Sequence, residues 1–135
     1  MQMQSSIYDL PQSIDISGYL IIRPLGHGAS ANVYLATQTS TNQEVAVKIL
    51  RIEQGIPEQQ RNRLYDRFDR EAQVCAALNH PHIVRLIDKG QTANHLLYAV
   101  FEYVPGITLK EYLLQNGALA ATKAGQIMAQ ILDAL

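Results

Sequence analysis

Apolar and polar positions alternate with a period of two over the first part of the chain and then lengthen to a helical period, and the changes of rhythm mark its elements. Tyr19-Leu20-Ile21-Ile22 reads as a strand interrupted at Pro24, and proline there suits an edge strand because it donates no hydrogen bond to a neighbour. Asn32 to Thr37 and Glu44 to Val47 are β-rich runs joined by the polar stretch Thr39-Ser40-Thr41-Asn42, the pattern of a hairpin. Beyond Leu50-Arg51 and the connection Gln54-Gly55-Ile56-Pro57, a helix is expected to open at Pro57 or Glu58, with Leu64, Phe68, Cys75 and Leu78 on its apolar stripe. Pro81 ends it, because the residue before a proline is pushed out of the α region.

Ile83, Val84, Leu86 and Ile87 then read as a buried strand, Lys89 to Asn94 as a turn, and His95 to Tyr103 as a further strand. Thr108 is placed to cap a short helix, with Glu111 completing a capping box and Asn116-Gly117 stopping it. Thr122 opens a last helix with Ile127, Ile131, Leu132 and Leu135 apolar. Residues 1–17, rich in Gln and Ser, read as a flexible extension, although Ile7, Tyr8 and Leu10 offer apolar groups that can dock.

Two charged residues break the apolar pattern. Lys48 lies on a strand face shared with Ala46 and Leu50, where an ammonium needs a nearby anion or must reach out to water. Glu71 falls where the helical stripe requires a residue between Phe68 and Cys75. It is either a hydrated group at the edge of the stripe or the partner of Lys48. The outer face of the same helix holds Arg63, Asp66, Arg67 and Arg70, which can pair among themselves, as Asp66 with Arg70.

The segment Leu25-Gly26-His27-Gly28-Ala29-Ser30-Ala31 is a loop of small residues between the first two strands. Glycine and alanine let phosphate oxygens approach backbone N–H groups, although G-x-G-x-x-A alone is also what a tight glycine turn looks like. A P-loop or a dinucleotide fingerprint would need a helix next, and a strand follows instead, which disfavours an oxidoreductase of the dinucleotide-binding kind.

Together, the loop and V-A-V-K at Val45-Ala46-Val47-Lys48 resemble the Gly-rich loop and strand lysine of the protein kinase family, G-x-G-x-x-G-x-V followed by V-A-I-K. Ala31 stands where the family usually has its third glycine. Leu78 to Leu86 resembles the family's L-x-H-P-x-I-V-x-L passage, and Phe101-Glu102-Tyr103-Val104-Pro105-Gly106 resembles the hinge between its lobes. The compact hinge and loop are similar to those of bacterial eukaryotic-like serine/threonine kinases.

The resemblance covers about residues 18 to 135 and implies an α+β fold: a five-stranded antiparallel sheet with one packed αC-type helix, then a hinge and two helices of a truncated C-lobe. The implied divisions are an extension over 1–17, an ATP-binding N-lobe over 18–103, and the hinge with the beginning of the C-lobe over 104–135. By resemblance Lys48 meets the α and β phosphates of ATP, Glu71 holds Lys48, and the loop from Gly26 to Ala31 covers the phosphates. Val33 and Ala46 cover the adenine ring. Phe101 is the gatekeeper, the Glu102 carbonyl accepts from adenine, and the Val104 amide donates to it.

The family also needs an H-R-D-x-x-x-x-N catalytic loop and a D-F-G aspartate for magnesium. Neither motif occurs here, so magnesium ligands are expected beyond the end of this chain, which reads as the front part of a larger protein and as inactive alone. The implied partners are a protein substrate and the missing C-lobe of the same polypeptide. A non-catalytic kinase-like regulatory or interaction module is the alternative.

Composition narrows this little further. The 135 residues are 47% hydrophobic with a net charge of −1, which gives no reason to expect nucleic acid as a partner. No apolar run approaches the roughly 20 residues that span a bilayer, the start lacks a secretory signal, and Cys75 is the single cysteine, so a cytoplasmic setting is expected. His80 and His82 lack a third ligand nearby in sequence and read as turn or packing residues, and no metal site is assigned.

Overall fold

The computed structural model describes residues 14–28, 30–93 and 95–134, and the expectations for residues 1–13, Ala29, Asn94 and Leu135 lie outside that range. Five strands, β1 (Tyr19–His27), β2 (Ala31–Gln38), β3 (Gln43–Leu50), β4 (Leu86–Gln91) and β5 (Leu97–Glu102), form one antiparallel sheet in the order β1-β2-β3-β5-β4. The helices are α1 (Glu58–Ala77), α2 (Leu109–Asn116) and α3 (Ala121–Ala134). This is the α+β class expected, with one helix, α1, packed against β4 and β5.

Alternation along β3 sorts the sheet's two faces. Val45, Val47 and Ile49 enter a core with Tyr34, Ala36 and Val100, each valine or isoleucine side chain worth about 1.5–3 kcal/mol on full burial. Ile16 belongs to the same core at 3% exposure, with Ile14 packed beside it, so the folded unit begins upstream of the boundary read at Gly18. On the opposite face, Leu50 packs with Ala99 and with Phe68 of α1. Ala72, unnoticed in the stripe because it is small, is buried on α1, whereas Leu78 lies 42% exposed beyond the helix end.

Although β1 and β4 are the two edges of the sheet, Tyr19 Oη donates to Asp88 Oδ2 at 3.0 Å, and the Tyr19 ring meets Tyr98 edge-on at 6.5 Å. The twisted sheet therefore curls until its margins touch. Loss of hydration in this contact, reinforced by the hydrogen bond to Asp88, pushes the Tyr19 phenol up to about 12.

Three boundaries differ from the pattern reading. β1 continues through Pro24 to His27 instead of stopping there; the strand is an edge, and register shifts at Ile21/Arg23 and Pro24/Gly26 absorb the misfit. β4 begins at Leu86, because Ile83 is held in a turn by its N–H bond to the His80 carbonyl at 3.2 Å. It then takes in Lys89, Gly90 and Gln91, read as a turn, which pair with Ala99, Tyr98 and Leu97. Gly90 serves packing here, since a Cβ would stand 2.6 Å from Tyr98 Oη. β5 is correspondingly shorter than read, and His95 precedes it in the left-handed region at φ 64°.

The remaining helices start and stop as their sequences dictate. Thr108 Oγ1 accepts from the Glu111 amide at 3.0 Å, and Gly117, at φ 75°, closes α2 by donating to the Leu113 carbonyl at 2.8 Å. α3 reaches the turn after α1 through Asp133, whose Oδ2 lies 3.3 Å from His80 Nε2 and 3.8 Å from His82 Nε2. Among the described residues no helix is long and apolar enough to cross a membrane.

Candidate functional site

The register of the sheet brings the chemistry-bearing residues to one face. Lys48 pairs with Val33 on one side and Ala99 on the other, and Ala46 pairs with Leu35 and Phe101. From α1, Glu71 points back at this face, and its Oε2 lies 3.8 Å from Lys48 Nζ. That is ion-pair contact, longer than a hydrogen bond. Arg67, one turn earlier, places Nε 3.1 Å from Glu71 Oε1, so the carboxylate is shared by two cations. The Lys48 ammonium also stands 5.8 Å from the centre of the Phe68 ring, within range of a cation–π attraction.

Two recesses open along this face, and only the first is lined by the pair. One, of about 400 Å³, is lined by Lys48, Glu71, Phe68, Cys75 and Ala99 among others. The second, of about 530 Å³, is lined by Leu25, Ala46, Glu102 and Val104 together with the chain that follows them. Phe101 lines both and stands between them. Val33 faces the same side, one pair along, and is not among the residues lining the second recess. Glu102 ties the end of β5 to the start of β4, its side chain accepting from the Arg85 amide at 2.8 Å and its own amide donating to the Arg85 carbonyl at 3.0 Å.

The small-residue loop lies next to Lys48, since Gly26 pairs with Val33, and Val33 with Lys48. Gly28 N–H donates to the Ala31 carbonyl at 2.8 Å, drawing the two limbs together. Ala31 is 4% exposed and pairs with Leu50, so its methyl is accommodated in the sheet.

Arg51 lies just past β3, where an arginine after a strand carries no signal in the sequence. Its Nη1 lies 3.0 Å from His27 Nδ1 and donates to Asn32 Oδ1 at 3.1 Å, and its Nη2 donates to the Gly28 carbonyl at 2.9 Å. Its backbone amide donates to the Ser30 carbonyl at 2.8 Å.

The site thus combines a curled five-stranded sheet, a strand lysine facing a helix glutamate, a glycine-bearing loop beside them and a linker into further helices. Residues 19–135 match the family model of the protein kinase domain, and the chain belongs to that family. It is 46% identical over 121 residues to the serine/threonine-protein kinase PrkC of Bacillus subtilis, covering 89% of this chain and 18% of that protein. It is 41% identical over 114 residues to the serine/threonine-protein kinase PknB of Mycolicibacterium smegmatis, covering 82% of this chain and 18% of that protein. The kinase domain of PknI from Mycobacterium tuberculosis superposes with a TM-score of 0.70 at 27% identity, over 93% of this chain and 50% of that one. The chain thus spans about 18% of the length of these curated relatives.

Proposed function

We propose that this chain supplies the ATP-binding part of a serine/threonine protein kinase that transfers the γ-phosphate to protein hydroxyls. The observation that carries the reading is the 3.8 Å approach of Lys48 to Glu71 on the face shared with Ala46 and the glycine-bearing loop. Both side chains are a third to a half exposed, so the pair adds about 0–1 kcal/mol to stability and acts by positioning.

The residues present fit a nucleotide. An ammonium held by a carboxylate suits the α and β phosphates of ATP, and a recess of mixed character, with Leu25, Ala46 and Val104 among its apolar lining, suits a base. In this reading Lys48 binds the phosphates, Glu71 holds Lys48, and the residues from Gly26 to Ala31 cover the phosphates. Val33 covers the ring with Ala46, Phe101 closes the back, and backbone groups of Glu102 and Val104 bond the adenine edge. Bound ATP would supply the phosphoryl group. Magnesium has no assigned ligand here, because the motifs that hold it in the family are absent from this sequence. For the same reason the chain by itself is expected to bind nucleotide without transferring phosphate.

Calorimetric titration of the purified chain with magnesium-ATP tests the reading: saturable binding is expected, lost in Lys48→Met. Equal binding by wild type and Lys48→Met would remove the role given to Lys48. Phosphate transfer by the 135-residue chain to itself or to a generic substrate would contradict its expected inactivity.

A further inference from the structure

We propose that Arg51 is a positioning residue that holds the glycine-bearing loop in the shape that receives phosphates. The inference rests on the nucleotide reading of the site. Four groups spread over the loop and its two limbs, the His27 ring, the Gly28 carbonyl, the Ser30 carbonyl and the Asn32 side chain, all meet this one residue within 3.1 Å. His27 ends β1 and Asn32 lies at the start of β2, so Arg51 fastens both limbs to the end of β3.

The guanidinium is suited to the task. It is planar, permanently charged and carries a fixed fork of donors, so one side chain satisfies several acceptors at once with little loss of its own freedom. A glycine-containing loop is otherwise costly to order, and a nucleotide closing over an unfastened loop must meet that cost from its binding energy. Carbonyls captured from the β3 side also fix the orientation of their peptide planes. The loop is thereby prepared before the ligand arrives.

The experiment combines amide hydrogen exchange with ligand titration of the whole chain in wild type, Arg51→Ala and Arg51→Lys. Arg51→Ala is expected to speed exchange of the amides at positions 28 and 51 while leaving Val47 and Val100 in the sheet core unchanged. It should weaken magnesium-ATP binding about tenfold, the ratio that corresponds to ordering about one backbone residue, with adenosine affinity unmoved because it lacks phosphates. Arg51→Lys, which keeps the charge but not the fork, should recover only part of the loss.

Unchanged exchange at those amides, tighter ATP binding in Arg51→Ala, or equal weakening of ATP and adenosine would each overturn the proposal. Full recovery by Arg51→Lys would assign the effect to charge alone and overturn it as well. A wild type that binds neither ligand sinks the nucleotide reading, and the role toward phosphates goes with it. The exchange rates would then report only whether Arg51 orders the loop.

Discussion

Glu71 meets Arg67 more closely than it meets Lys48: Oε1 lies 3.1 Å from Arg67 Nε, while Oε2 stands 3.8 Å from Lys48 Nζ. Arg67 and Glu71 are one helical turn apart on α1, so their pair is local and persists whatever the sheet does. Arg67→Ala should cost about 0.3–0.5 kcal/mol of stability, the usual worth of an exposed i,i+4 pair, and should tighten magnesium-ATP binding by releasing Glu71 to Lys48. Glu71→Gln should weaken binding. Titration calorimetry on both variants decides the matter, and a fall in affinity for Arg67→Ala would mean that Arg67 supports the pair instead of diverting it.

Alkaline pH should loosen the curl of the sheet. The folded-state value of Tyr19, about 12, lies above the ordinary 10.0, so the neutral phenol is favoured in the folded protein. The stability it contributes is complete below pH 10 and is lost as the pH rises through 12. Denaturation of wild type and Tyr19→Phe across this range should show the difference between them shrinking. The phenolate titration followed by absorbance should lose a component near pH 12 in Tyr19→Phe.

Gly90→Ala should destabilise the fold by about 1–3 kcal/mol, because the added methyl would lie 2.6 Å from Tyr98 Oη and 2.8 Å from Cζ. The Tyr98 ring is braced edge-on against Tyr19, so it cannot swing aside without breaking that contact. Urea denaturation measures the loss, and a midpoint equal to wild type would show that the ring yields freely.

Asp133→Ala should release the last turn of α3 from the turn after α1. His80 and His82 both face the same carboxylate oxygen, and half or more of that carboxylate is exposed, so the stability cost is small, about 0–1 kcal/mol. Amide exchange should quicken at residues 130–134 with the sheet unaffected. Exchange unchanged in α3 would show that the contact does not hold the helix.

The approach of Lys48 to Glu71 was legible because two local periods, two on a strand and 3.6 on a helix, each put a charge where an apolar residue belongs. Thr108 and Gly117 were legible because a cap is decided within four residues. β4 was misplaced because its register is set by pairing with Leu97, Tyr98 and Ala99, whose positions no local pattern reveals; a glycine that looked like a turn is a glycine beneath a tyrosine ring. Arg51 left no trace for a different reason. Its contacts reach 19 to 24 residues back along the chain, and in the sequence a single arginine looks alike whether it fastens a loop or only faces water.

Ile16 has a practical consequence for anyone shortening the chain. A version beginning at Gly18, one residue before β1, would remove Ile16 from the core it shares with Tyr34, Val47 and Val100 and leave a cavity there. Such a version should express as a weaker, stickier protein than one that keeps Ile14 and Ile16, even though every residue of the candidate site would still be present.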